Sequence, residues 1–162
     1  GVHVLGLVRR AEGVEELAAA GIEGVVATDQ DGWRERALEI TGGAPIVAGV
    51  DSVGGAASGD VLSLLAENGT LGVFGAMASP TMELSSGDVI FRQLTVKGFW
   101  GSKVSAAMEP ARRAALIGEI ITRVAEGSLS LPVAAVHAFD DAASAARENF
   151  TPGRVGKLLL TP

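Results

Sequence analysis

Val2-His3-Val4-Leu5-Gly6-Leu7-Val8, followed at once by Arg9-Arg10, decides how the rest of the chain is read. The run is apolar and β-branched, stops on two cations and gives way to a helical pattern, so it reads as a buried strand with positive charge at its carboxyl end. In an open α/β sheet that edge is where ligands bind, and the residue there discriminates. Asp or Glu suits a free ribose 2′-hydroxyl, whereas Arg suits a 2′-phosphate. Arg9 and Arg10 therefore point to NADP(H). The bland alternative is two solvated cations at a strand-to-helix turn, although two guanidinium groups match a dianion well.

Working outward, Glu12 to Ala20 places Val14, Leu17 and Ala18 on one side of a helix, with Gly21 as its stop. A short strand, Gly24 to Thr28, ends on the turn residues Asp29 to Gly32, and Trp33 to Ile40 forms a second helix. Pro45 to Asp51 is nearly all apolar and reads as a strand buried on both faces. A Gly-rich turn leads into a helix over Ala56 to Glu67, whose buried residues are Val61, Leu62, Leu64 and Leu65 and which Asn68-Gly69 ends. Thr70 to Phe74 is the fourth strand, Gly75 to Pro80 a small-residue loop, Ser85 to Arg92 one or two helical turns, and Leu94 to Trp100 the fifth strand. Strand and helix alternate throughout, which predicts an α/β fold with a doubly wound parallel sheet.

Past Trp100 the texture changes. A long amphipathic helix is expected over Ala107 to Glu126, with Leu116, Ile117, Ile120, Ile121 and Val124 on its inner face. Pro132 to Ala138 is a further strand, and Phe139-Asp140-Asp141 opens a last helix whose carboxylates favour its N-terminus. Gly153-Arg154-Val155-Gly156-Lys157 then leads into the strand Leu158 to Leu160. The division expected is a nucleotide-binding domain over 1–130 and a return segment over 131–162.

Composition narrows the function. The 162 residues are 48% hydrophobic but only 4% aromatic, so the core is built from Ala, Val, Leu and Ile. A formal charge of −6 argues against nucleic acid and anionic membranes as partners, because both need a net cationic surface. The absence of cysteine excludes disulfides, thiolate metal sites and Cys nucleophiles. His3 and His137 are too isolated to propose a metal. Tyrosine is also absent, so a Tyr-based general acid could come only from outside this stretch. No apolar run is long enough for a bilayer and no leader is evident, so a soluble cytoplasmic chain is expected.

Other candidates carry plain readings beside the functional ones. Asp51-Ser52-Val53-Gly54-Gly55 has the look of a phosphate loop but lacks the Lys-Ser/Thr ending, and Gly54 to Gly59 does not fit G-x-G-x-x-G. Asp51 reads as a capping carboxylate rather than a catalytic one. Phe74-Gly75-Ala76-Met77 and Phe99-Trp100-Gly101 end strands on the same edge as Arg9; they are core and turn material, or the wall of a flat apolar pocket. Lys97 reads as an edge or surface charge. Lys157 is a solvated lysine by default, or one folded back over a cofactor.

Taken in order, Leu7-Val8-Arg9-Arg10, Asp51-Ser52-Val53-Gly54-Gly55, Phe74-Gly75-Ala76-Met77, Gly98-Phe99-Trp100 and Gly156-Lys157-Leu158-Leu159-Leu160 resemble the cofactor domain of zinc-independent medium-chain dehydrogenases/reductases. The nearest branches are the NADPH-dependent 2-enoyl thioester reductases and the NADPH quinone oxidoreductases. The resemblance implies a Rossmann-like fold, NADP(H) as cofactor, and hydride transfer to an enoyl thioester or a quinone. It implies Arg9 and Arg10 at the adenosine 2′-phosphate, Phe74, Gly75, Ala76 and Met77 along the nicotinamide, Phe99, Trp100 and Gly101 framing the pocket, and Lys157 returning to the cofactor. It also implies a homodimer through the edge strand Leu94 to Phe99. The family's catalytic domain, first Rossmann strand and Gly-rich turn are not matched here, so strands two and four of the order 3-2-1-4-5-6 are expected to lack their shared neighbour. A non-catalytic nucleotide-binding or dimerisation module of the same fold is the rival expectation.

Overall fold

The computed structural model describes residues 1–151, 154 and 156–162; Gly153 and Val155 of the approach to the last strand lie outside the described residues. Its elements run β1 (Gly6–Val8), α1 (Ala11–Ala19), β2 (Val25–Ala27), α2 (Trp33–Ile40), β3 (Ile46–Asp51), α3 (Ala56–Leu64), β4 (Leu65–Val73), α4 (Ser86–Phe91), β5 (Thr95–Gly98), α5 (Gly101–Ala107), α6 (Pro110–Ala125), β6 (Val133–Ala138), a 3-10 turn (Phe139–Asp141), α7 (Ala142–Glu148) and β7 (Lys157–Thr161). Two compact units divide the chain, Gly1–Val104 and Ser105–Pro162, a division earlier than the line at 130 drawn from texture.

Every ladder is parallel. In the first unit β1 pairs with β2, and β3, β4 and β5 form a three-stranded sheet in that order. In the order 3-2-1-4-5-6, β2 and β1 correspond to the third and second strands and β3, β4 and β5 to the fourth, fifth and sixth. The ladder breaks between β1 and β3, where that order has its first strand. In the second unit β6 pairs with β7.

Two apolar clusters hold the first unit. Leu62, Leu65, Leu71 and Leu94 form one, with Ile46, Val61, Val73 and Val96 packed against them. Val26, Trp33 and Ala37 form the other, joined by Leu5, Leu7 and Leu64. Leu64 of α3 thereby touches the cluster built on β2 and α2. The same helices are also clamped by Arg34, which donates to Ser63 Oγ at 3.1 Å and to Asp60 Oδ1 at 3.2 Å. Burial raises the Asp60 carboxyl, and the Arg34 charge works against that rise.

Several sequence expectations need correction. The opening run is not buried along its length: only Gly6–Val8 joins a ladder, Val2 and Val4 are exposed, and β1 has a partner on one side only among the described residues. β3 is covered on one face rather than two: Gly49 meets Val61 of α3 and Asp51 is buried, whereas Val50 on the opposite face is 74% exposed, with nothing described covering it there. The helix expected to reach Glu67 stops at Leu64, where Leu65 turns extended. The Asn68-Gly69 turn survives as a bulge inside β4: Asn68 has φ 62°, and pairing jumps from Ile46 with Leu65 to Ala48 with Thr70. The helix expected over Ala107 to Glu126 is α6, which starts at Pro110, since proline is accommodated at a helix's first position; the short α5, Gly101–Ala107, precedes it where no helix was expected. Ser85 caps α4 by accepting from the Asp88 amide at 3.1 Å.

Leu62 is fully buried, so Leu62→Ala should cost about 2–5 kcal/mol, read as a lower urea midpoint with an unchanged slope. Gly49 of β3 faces the Val61 γ-methyl so closely that a Cβ would overlap it. Gly49→Ala should therefore destabilise by about 1–3 kcal/mol, and Val61→Ala in the same chain should return part of the loss.

Candidate functional site

In a parallel sheet the strands end together, and here the register places Asp51 beside Val73 and Val73 beside Gly98. The three segments that follow therefore leave the same edge. Main-chain hydrogen bonds continue the pairing one step further: the Phe74 amide donates to Asp51 O at 2.9 Å, and the Phe99 amide to Val73 O at 2.8 Å.

Alternation then separates two faces. Leu71, Val73 and Val96 point into the leucine cluster, while Val50, Thr70, Gly72, Phe74, Lys97 and Phe99 line an open groove of about 460 Å³ on the opposite face. Its walls are mostly apolar and end on the two phenylalanines. Such a groove suits one face of a flat, uncharged ring.

The predicted residues fall into three places. Phe74, Gly75, Ala76, Met77, Phe99, Trp100 and Gly101 come together at the carboxyl edge of β3–β5. Met77 is 86% exposed, and Gly101 starts α5 with the Phe99 ring beside it. The Lys103 ammonium lies 5.9 Å from the Trp100 ring centroid. Arg9 and Arg10 stand at the carboxyl end of β1, on the other ladder of the first unit, where Arg9 O accepts from the Asp29 amide at 3.1 Å. Arg10 precedes α1 in an extended conformation. Both side chains are exposed, and among the described residues neither makes an ion pair or a side-chain hydrogen bond. Lys157 belongs to the second unit, where it opens β7 and its amide donates to Pro132 O at 2.9 Å. Lys97 is exposed on the edge strand β5.

Asp51 carries the most organised electrostatics. It is 4% exposed, yet its carboxylate is fully engaged: Oδ1 accepts from the Val53 amide at 2.8 Å, and Oδ2 from the Gly54 amide at 3.2 Å and the Ser58 hydroxyl at 2.6 Å. Burial alone would raise its pKa; the Ser58 hydroxyl and the amides of Val53, Gly54 and Ser52 outweigh it and hold the carboxyl below its ordinary value. The sequence reading of Asp51 as a cap is refined rather than replaced. It caps the turn before α3, while Gly55 occupies the N-cap position itself without a side-chain bond. What the sequence did not single out was the role of Ser58 and of the groove residues Val50, Thr70 and Gly72. The Asp51–Ser58 spacing was the available signal for the first; the groove residues carry none, being ordinary strand residues.

The residues present fit a phosphorylated dinucleotide: two free cations at one strand end can meet a phosphate dianion, and an apolar groove beside the glycine-lined loops can take a ring. Among proteins of known function, mitochondrial enoyl-[acyl-carrier-protein] reductase from Homo sapiens is 30% identical over 112 residues, which is 69% of this chain and 30% of that protein. The Arabidopsis thaliana enzyme of the same name is 31% identical over 105 residues, 62% of this chain and 28% of its own length. The chain thus spans about a third of the relatives it matches. Among solved structures, a Pseudomonas syringae quinone oxidoreductase superposes with a TM-score of 0.78 at 22% identity, covering 98% of this chain and 48% of that one. A mycobacterial protein solved with NADPH gives 0.78 at 23%, covering 100% and 49%. A family model described as zinc-binding dehydrogenase matches residues 1–116. The ion in that description finds no fit in this stretch, which has no cysteine and, among the described residues, no group of three His, Asp or Glu that could hold a metal. With the parallel α/β framework and the match over residues 1–116, the chain belongs to the zinc-binding dehydrogenase family, of which it carries the Rossmann cofactor-binding part.

Proposed function

We propose that this chain is the cofactor half of an NADPH-dependent oxidoreductase that transfers hydride to an enoyl thioester or a quinone. The observation that carries this reading is the pair Arg9 and Arg10, exposed at the carboxyl end of β1 where a nucleotide ribose is read in this fold. Their fixed charges and planar donors suit a 2′-phosphate. The likeness to enoyl reductases and to a protein solved with NADPH supports the same reading.

In this proposal the bound dinucleotide supplies the hydride, and the chain's own residues place it. Arg9 and Arg10 hold the adenosine end. The main chain of Phe74, Gly75, Ala76 and Met77 lies along the nicotinamide, and Phe99, Trp100 and Gly101 frame the ring and keep water from it. The protein's part is to position the ring and to stabilise the negative charge that develops on the substrate oxygen. The proton donor comes from outside this stretch, which has no tyrosine. The exposed edge of β5 is the proposed homodimer contact, through Leu94 to Phe99.

In the full-length protein, replacing Arg9 and Arg10 with Ala should weaken NADPH binding by about a hundredfold, the loss expected for two hydrogen bonds to a charged group, and leave NADH binding within about twofold. Equal losses for the two cofactors in calorimetry would remove the phosphate assignment. Sedimentation equilibrium should show a dimer; a monomer at every concentration would discard the β5 contact.

A further inference from the structure

The loop after β3 and the loop after β4 are zipped together along their main chains. Ser52 O accepts from the Met77 amide at 3.0 Å, and Val53 O from the amides of Ala78 and Ser79 at 2.8 and 3.3 Å. Gly55 continues the seam, donating to Thr81 O at 2.7 Å and accepting from the Glu83 amide at 3.0 Å. The contact is too tight for side chains. A Cβ on Gly75 would sit 2.8 Å from Ser52 O, and one on Gly54, whose φ is 79°, would overlap Ser79 O. The position of residues 74–79 is therefore dictated by where the carbonyls of Ser52 and Val53 point.

Those carbonyls are aimed from below by one buried group. The Val53 and Gly54 amides both turn inward onto the Asp51 carboxylate, which the Ser58 hydroxyl of α3 anchors from the far side. With its amides bound inward, the turn has its carbonyls facing outward, toward Met77, Ala78 and Ser79. Asp51 is itself buried and out of reach of a ligand at the edge.

We propose that Asp51 is a positioning residue: through the Ser52–Gly54 turn it fixes the main chain of the Phe74–Ser79 loop, and so the nicotinamide half of the cofactor site while leaving the adenosine half untouched. This rests on the cofactor reading above. Arg9 and Arg10, which serve the adenosine end in that reading, belong to the other ladder and share no hydrogen bond with this seam. The two halves of the site are thus held by separate devices, and a ligand lacking nicotinamide distinguishes them.

The test compares NADPH with adenosine 2′,5′-bisphosphate in calorimetry on the full-length protein. Asp51→Asn keeps the size of the side chain but turns an amide group toward donors that need an acceptor. It should weaken NADPH by about tenfold, the loss of a hydrogen bond to a charged group, lower kcat, and leave adenosine 2′,5′-bisphosphate within about twofold. Ser58→Ala, which removes one anchor from α3, should give a smaller loss with the same split. Gly75→Ala, which presses on Ser52 O from the opposite loop, should reproduce it. Should the Asn variant fail to fold, the Ser58 and Gly75 variants decide: the split supports the proposal and its absence overturns it. Equal losses for both ligands, or none, overturn it in any of the three. Wild-type protein that binds neither ligand overturns the cofactor reading, and this proposal with it.

Discussion

The register of β3, β4 and β5 governs what the first unit can do. Because Asp51, Val73 and Gly98 lie in one row across the sheet, the three segments that leave the strands emerge side by side and can be joined by short main-chain hydrogen bonds. An antiparallel arrangement would send alternate loops to opposite ends. Side-chain alternation along the same strands then gives the sheet a packed face, built on Leu71, Val73 and Val96, and an open face lined by Val50, Phe74 and Phe99.

Charge is distributed on the same plan. The carboxylate at the end of β3 is buried and saturated with donors, so it acts on the backbone around it. The cations at the end of β1 are exposed. A negative ligand thus meets two guanidinium groups and no exposed acid from Asp51, which matters in a chain whose formal charge is −6. Glycine does the complementary work at Gly54 and Gly75, where only a missing side chain lets two loops touch.

Much of this was legible in the sequence, and the failures have physical causes. The order of strands and helices followed from apolar runs alternating with helical spacing, and Arg9-Arg10 stood out because charge interrupts a strand pattern there. The end of α3 was misplaced because Leu65 is apolar whether it closes a helix or opens a strand; only its packing at 1% exposure against the sheet decides. The start of the long helix belongs at Pro110 rather than Ala107, since a proline near the beginning of a helical pattern marks its first position. The open face of β3 was invisible because an all-apolar strand reads the same whether one side is covered or two. The seam between residues 52–55 and 77–83 joins residues 25 to 28 positions apart, beyond any local pattern, although the glycines that permit it were visible.

The break between β1 and β3 has one further meaning. Each strand is satisfied by a neighbour on one side, β2 for β1 and β4 for β3, and each presents on its other side, among the described residues, a row of amides and carbonyls spaced to accept another extended segment. Water can serve those groups, but so can any β-segment that arrives, from the same polypeptide or another. The slot therefore works as a template, and how well a preparation of this chain behaves in concentrated solution depends on whether that template is occupied.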